Sequence, residues 1–237
     1  MRKAGDLINE YLREGQLAAN RSQPIGAGGN GVVFASDVEG NVMKQSKFAD
    51  TYGDLEREAN LQAIAAEIGI APRVAGVETF PSGIGNRIEM EDIRDNFQTR
   101  GKRYMDSPEG MDAVRVNQQL GQLALKGVRL EDRHNGNVRY NKMTGRPLQL
   151  DFGIADRVSG ADQVQVLTEA TANGFSAAGI GDVGDIFRST VYDLLEGGQV
   201  TEAMDVAKQG FSRLQKIKHP LPATRSGREF LGLKIPF

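Results

Sequence analysis

The sequence predicts an α+β chain in two parts, a small β-rich part followed by a reduced, mostly helical one. Three observations carry this. A glycine-dense run, residues 25–34, leads into β-branched and aromatic residues rather than into a helical pattern. Two later stretches, 54–68 and 110–127, repeat apolar residues at helical spacing. Between 130 and 155 that spacing gives way to a polar loop, a turn and a short apolar run. A length of 237 residues suits one large domain or two small lobes.

Residues 6–19 place Leu7, Ile8, Tyr11 and Leu12 on one stripe, opposite Glu10, Arg13 and Glu14. This is an amphipathic helix that either packs on the first lobe or docks a partner. Next, Gly26, Gly28, Gly31 and Val33 fit Gly-x-Gly-x-x-Gly-x-Val. Glycines let backbone N–H groups approach a phosphate with no Cβ in the way. A dinucleotide fingerprint would need a helix after them. Here Val32-Val33-Phe34-Ala35, a turn at Glu39-Gly40-Asn41 and Val42-Met43-Lys44 make a hairpin instead. Leu55, Ala59, Ala63 and Ile64 then give a helical stripe, with Gly69 as its left-handed stop and Pro72 beyond. Residues 73–77 and 87–90 read as strands around a Pro-Ser-Gly turn, and 94–108 as an irregular connection. Val114, Val116, Leu120, Leu123 and Leu125 supply the apolar faces of the second long helix. Residues 139–145 form a turn between two short strands. Helices are expected over 182–195 and 201–214, with 164–172 as a further helical candidate inside 156–178.

The chemistry concentrates in 130–155. Asp132 and Asn137 lie five positions apart, and Asp151-Phe152-Gly153 follows Asn137 by 14 residues. One Asp can meet an acceptor hydroxyl, while Asn and Asp oxygens suit a hard cation such as Mg²⁺. This is the layout of a phosphoryl-transfer site.

These motifs resemble those of the protein-kinase-like superfamily. The resemblance spans about residues 25–195 and implies a bilobal protein-kinase-like fold, with a cleft that binds ATP and Mg²⁺, or Mn²⁺ in its place. It implies that Gly26, Gly28, Gly31 and Val33 cover the nucleotide. Lys44 contacts the phosphates and pairs with Glu58, with Lys47 and Glu56 as the alternative pair members. Met90-Glu91-Asp92-Ile93 resembles the hinge, with Met90 beside adenine and the backbones of Glu91 and Ile93 bonding it. Asp132 is the implied catalytic Asp, and Asn137 and Asp151 are the implied metal ligands. Asp182, or Asp185, would tie the catalytic loop backbone. The run departs from the usual protein-kinase loop: Leu130-Glu131 stands where His-Arg is usual, and His134 where Lys is. Asp132-Arg133-His134-Asn135-Gly136-Asn137 is closer to phosphoinositide kinases, and Asp-x-His-x-x-Asn is similar to aminoglycoside and choline phosphotransferases. His134 or Arg133 then stabilises the transferring phosphoryl group in place of that Lys. Residues 156–178 would hold the activation segment, although they contain no Ala-Pro-Glu anchor.

Composition sets the remaining bounds. With no Cys there are no disulfides and no thiolate or Cys–zinc chemistry. Two histidines, His134 and His219, argue against a histidine-rich metal site. The net charge of −2 gives no global basic field for nucleic acid. No apolar run approaches the roughly 20 residues of a membrane span, and no secretory signal is evident. The default expectation is a cytoplasmic protein, although a non-classical export route to a host cell would leave no trace in the sequence. The expected divisions are an N-terminal helix (1–20), an N-lobe with lid and hinge (21–93), a C-lobe with the catalytic and Asp-Phe-Gly loops (94–218) and a tail (219–237). The leading functional expectation is a Ser/Thr protein kinase of minimal type, suited by size to an effector acting on host proteins. The rivals are a small-molecule or lipid kinase and a pseudokinase interaction module.

Overall fold

The computed structural model describes residues 24–27, 31–47, 54–80, 85–100 and 106–219. The helix expected at 6–19, Gly28 of the lid and the tail from 220 onward lie outside them. Two compact units result. The first takes the described residues up to Gln98 together with Leu148–Ile154. The second takes those of Thr99–Pro147 and those from Ala155 on.

The first unit is built on a five-stranded antiparallel sheet. Its strands are β1 (Gly26–Ala27), β2 (Gly31–Ala35), β3 (Asn41–Ser46), β4 (Val74–Glu78) and β5 (Arg87–Glu91), in the order β1-β2-β3-β5-β4. The β2–β3 hairpin sets Val33 opposite Lys44 and Phe34 opposite Met43. Alternation then turns Val42 and Met43 to opposite faces. Helix α1 (Asp54–Glu67) lays Leu55 and Ala59 on Val42, Ile88 and Met90, with Val33 and Val74 at the margin. Each of Val42, Leu55, Ile88 and Met90 contributes about 1.5–3 kcal/mol on burial, and Ala59 less. Gly69 ends α1 at φ +69°, and the Ile70 N–H reaches back to the Ala65 carbonyl. Only glycine adopts that conformation without strain. A two-residue strand, β6 (Phe97–Gln98), follows β5.

The second unit is mainly helical: α2 (Gly110–Leu125), α3 (Gly160–Ala177), α4 (Gly181–Glu196) and α5 (Val200–Leu214). Helix α3 is its centre, packing on the other three. It is apolar on nearly every side because Val164, Leu167, Ala172 and Phe175 are buried, as are Thr168 and Thr171. Those two hydroxyls donate to the carbonyls four residues back, which satisfies them inside the core. Phe175 meets Phe187 of α4 edge to face, centroids 6.0 Å apart. Before α3 lie β7 (Val128–Arg129), a 3₁₀ turn (Asn135–Asn137), β8 (Val138–Asn141), β9 (Pro147–Gln149) and β10 (Asp156–Arg157). Asn141 shapes the turn after β8, its Oδ1 accepting from the N–H groups of Met143 and Thr144. β10 pairs antiparallel with β7.

The chemical order expected from the sequence is present: glycine turn, hairpin, helix, strands, then loop and helices, an α+β architecture with a β-rich unit and a helical one. Over 156–178 the helix expected as the alternative at 164–172 is present, in place of an activation segment. After β10 the chain enters α3 at Gly160, and this helix is core rather than loop. No described helix is long and apolar enough to cross a membrane.

Close helix contacts depend on glycine. A Cβ on Gly184 would sit 2.7 Å from the Ala172 carbonyl oxygen, and one on Gly121 would run into the Phe211 ring. Backbone cannot retreat as a side chain can. Gly184→Ala should destabilise the protein by about 1–3 kcal/mol through overpacking, read as a lower urea midpoint, whereas a Gly76→Ala control, with open space around its Cβ, should lose clearly less.

Candidate active site

In the first unit three residues meet around one ammonium group. Lys44 stands on β3, and its Nζ donates to Glu58 Oε1 at 2.5 Å and to Asp151 Oδ1 at 2.9 Å. Glu58 reaches it because α1 carries Leu55, Glu58, Ala59 and Gln62 on its buried side. Glu58 is 5% exposed, whereas Glu56 is exposed. Lys47 is likewise exposed, one residue beyond β3. The alternatives left by the sequence are thus placed apart from this cluster. Glu58 also accepts from the Phe152 N–H, and the Phe152 ring is fully buried.

Asp151 has a left-handed backbone, φ +56°, the one non-glycine residue so placed among the described residues. Asp tolerates this region better than most residues. Its Oδ1 takes Lys44 and, at 3.4 Å, the Gly153 N–H. Its Oδ2 has no intramolecular partner among the described residues.

Gly31 lies against this cluster. A Cβ there would stand 3.0 Å from Lys44 Cε and 3.1 Å from the Gln45 carbonyl oxygen. A side chain there would have to push the lysine stem or the Gln45 carbonyl aside by a few tenths of an ångström, so glycine gives β2 its close passage over the lysine. Gly26 is under no such constraint, since its Cβ would find only Val33 at 3.8 Å. At the expected hinge, Met90 is buried with its Sδ 3.6 Å from Gln62 Nε2. Glu91 gives its N–H to the Arg73 carbonyl. The Ile93 carbonyl accepts from Asn96 and Phe97, and its N–H has no partner among the described residues.

The second unit holds the catalytic-loop candidates. Asn137 Nδ2 donates to Asp132 Oδ2 at 2.8 Å and to the Asp132 carbonyl at 3.2 Å. A carboxylate only accepts, so this bond fixes the amide and leaves Asn137 Oδ1 turned away from Asp132. His134 Nδ1 accepts from the Gly136 N–H at 3.0 Å. In the neutral ring the proton therefore sits on Nε2, which lies 3.3 Å from Asp132 Oδ1. Both Asp132 oxygens are thereby oriented. Asp106, which sequence reasoning did not single out, anchors the loop through its carbonyl, which accepts from Asn135 N–H at 2.8 Å. Arg133 is exposed. Asp182 opens α4 and takes the Val183 N–H, and Asp185 pairs with Arg188.

The sequence matches no family model. It matches no curated protein either. Among solved structures it is similar to the Cydia pomonella Granulovirus kinase PK-1, with 12% identity, 71% of this chain and 74% of that chain covered, and a TM-score of 0.45.

Among the described residues no group of three or more His, Cys, Asp or Glu side chains forms a ready-made metal centre. That is compatible with Mg²⁺, which is commonly held by one or two carboxylates together with substrate phosphates. Each unit offers one suitable group: Asp151 Oδ2 in the first and Asn137 Oδ1 in the second are hard oxygens without intramolecular partners among the described residues.

Charge sets a pH dependence. Burial works against the Lys44 ammonium, but Glu58 and Asp151 more than offset it and hold its pKa above the ordinary lysine value. Burial pushes the Glu58 carboxyl above its usual range, against the pull of Lys44. Lys44→Met strands Glu58, and breaking one side of a buried pair costs about 3–5 kcal/mol. The folded-state pKa of Glu58 lies above its unfolded value. The loss is therefore full above the folded pKa and shrinks as pH falls toward the unfolded value. Urea melts near pH 7.5 and near pH 5 should show the larger deficit at the higher pH, and equal deficits would refute this account.

Proposed function

We propose that the protein transfers the γ-phosphoryl group of ATP to a Ser or Thr hydroxyl of a protein. The observation that carries this is Lys44 bonded to both Glu58 and Asp151. A buried ammonium held by two carboxylates is an expensive arrangement. It presents one preorganised cation beside a carboxylate with an oxygen to spare, which is what a polyphosphate with its counter-ion requires. The Ile93 N–H suits adenine, and Gly31 lets the lid backbone lie close to the lysine.

The steps follow from the residues. Lys44 holds the phosphates, and Glu58 holds Lys44. Bound Mg²⁺ supplies charge neutralisation on the nucleotide, with Asp151 Oδ2 and Asn137 Oδ1 as the oxygens offered to it. Asp132 orients the acceptor hydroxyl and takes its proton as the oxygen attacks phosphorus and the bond to ADP breaks. His134, with Nδ1 taken by the Gly136 N–H and Nε2 facing Asp132, acts as a positioning residue that turns Asp132 toward this task. Catalysis of this kind is largely positioning and electrostatics.

The second reading is a lipid or small-molecule acceptor. It is favoured by the Asp-x-His-x-x-Asn loop and by α3 starting directly after β10.

The test is labelled-phosphate transfer from ATP with Mg²⁺ to protein and organic-soluble fractions of a cell lysate. Asp132→Asn and Asp151→Asn should each lower turnover at least about 100-fold, the scale of one lost preorganised interaction. Near wild-type transfer in either variant would refute the site. Label in the organic fraction alone would favour the second reading.

A further inference from the structure

The second unit has a cavity of about 340 Å³ beside the start of α2, with Asp106, Glu109, Asp112 and Asn135 among its lining residues. Asp132, His134 and Asn137 do not line it. Its charges are unequally matched. Asp112 is compensated: Arg100 Nη1 donates to both its oxygens, at 3.1 and 3.3 Å, and Arg115 Nη1 lies 3.5 Å from Oδ1. The Arg100 guanidinium also rests 4.9 Å from the centroid of the Tyr140 ring. Asp106 and Glu109 differ, since neither carboxylate makes a hydrogen bond or ion pair among the described residues. Glu109 stands at the N-cap of α2, but its side chain caps nothing. Acidic residues are favoured at a helix start by the dipole, so this pair alone assigns nothing.

Asn135 decides. It is only 6% exposed, yet its side-chain amide makes no hydrogen bond among the described residues. Its polar atoms are not sealed in: the fully enclosed side-chain atoms without a partner belong to Arg87, Asn117 and Arg129. Asn135 lines the cavity instead, where an incoming group can reach it. A side-chain amide set so deep and left unbonded is uncommon.

We infer that this cavity binds a primary ammonium group on a short alkyl chain, whose N–H groups go to the Asp106 and Glu109 carboxylates and to Asn135 Oδ1. An ammonium carries three donors and no acceptor, and these three acceptors lack donors. Charge agrees, because two unpaired carboxylates outweigh the roughly half positive charge of a helix N-terminus. Size agrees too. A volume of about 340 Å³ stands at the lower end of ligand pockets, roughly 300–1,000 Å³, and suits a small amine or one lysine side chain. A metal ion fits less well, since no three His, Cys, Asp or Glu side chains come together among the described residues. The site touches the catalytic loop. The Asp106 carbonyl accepts from the Asn135 N–H at 2.8 Å, and Asn135 opens the turn that ends at Asn137. A cation held between Asp106 and Asn135 fastens that turn from a side the phosphate chemistry does not use. This binding does not depend on the phosphotransfer reading.

The experiment uses the full chain as wild type, Asp106→Asn, Glu109→Gln and Asn135→Leu, each checked for folding by circular dichroism. Butylamine, N-acetyl-lysine methylamide and choline are titrated by calorimetry at fixed ionic strength without nucleotide. Wild type should bind butylamine at one site, and choline, an equal charge with no N–H, about tenfold more weakly. Asp106→Asn and Glu109→Gln should each weaken butylamine about tenfold, the scale of one charge-assisted contact. Asn135→Leu should weaken it several-fold. That variant changes no charge, so its loss separates a built site from general attraction to an acidic surface. Glu109 is exposed and caps nothing, so Glu109→Gln keeps the measurement available should another variant fail to fold. N-acetyl-lysine methylamide binding as tightly as butylamine, with the same losses, upholds the site and assigns the ammonium to a lysine of a protein. Weaker binding of the lysine probe upholds it for a free amine. Absence of butylamine binding to wild type overturns the inference, as do equal affinities in wild type and every folded variant. Mg²⁺ binding that these substitutions abolish, with no butylamine binding, overturns it in favour of a metal.

Discussion

Lys44 carries its charge into the interior of the first unit, and two carboxylates receive it there. Much of that unit is arranged for this contact. The β2–β3 hairpin delivers the lysine, Gly31 clears the space over its stem, and the apolar side of α1 brings Glu58 into the core. The chain then adopts a left-handed conformation at Asp151 to supply the second carboxylate. For stability alone a well-packed apolar pair in place of Lys44 and Glu58 would serve as well or better, because desolvating these two buried charges costs on the order of several kcal/mol each before pairing returns it, whereas Asp151 keeps part of its hydration. Under the proposed function, the ammonium and the accessible carboxylate oxygen are what a polyphosphate would meet.

The second unit obeys another logic. Its helices pack at glycines and around two phenylalanines that meet edge to face, and α3 is buried enough that its threonines bond their own helix. On that rigid base the catalytic loop is held by backbone groups: Asp106 carbonyl to Asn135, and Gly136 N–H to His134. A backbone amide thus sets the tautomer of His134, which sets the direction of Asp132. Orientation passes from main chain to imidazole by a hydrogen bond of 3.0 Å and on to the carboxylate by a 3.3 Å polar contact.

Much of this was legible in the sequence, for identifiable reasons. Lys44 could be placed because a hairpin turn at Gly40 fixes the strand after it. Glu58 was preferred over Glu56 because Arg57-Glu58-Ala59-x-Leu61 resembles the kinase helix that carries the paired Glu; its place beside Leu55 and Ala59 on the buried side of α1 is the physical counterpart. For residues 156–178 the resemblance supplied an activation segment and the residues themselves a helix at 164–172; the helical candidate is the one present, and it extends over Gly160–Ala177 because Val164, Leu167, Thr171 and Phe175 repeat at helical spacing. Other features leave no periodic trace. The Glu169–Arg188 and Glu169–Tyr192 contacts join residues 19 and 23 positions apart on two helices. The left-handed backbone of Asp151 and the bond to Gly136 that fixes His134 depend on local main-chain geometry, which residue identity only weakly constrains.

The first unit is discontinuous in the chain, and this has a consequence for synthesis. Leu148–Ile154 belongs with residues made much earlier. The Gln149 N–H bonds the Ile70 carbonyl at 2.7 Å, and Asp151 meets Lys44 across 107 positions. A nascent chain that has emerged to Gln98 can form the sheet and bury Glu58, but it lacks these closing contacts. Closing so long a loop carries an entropic cost that local contacts do not. The first unit therefore waits on the ribosome for its last strand, and its final locking comes after α2 and the catalytic loop have already been made.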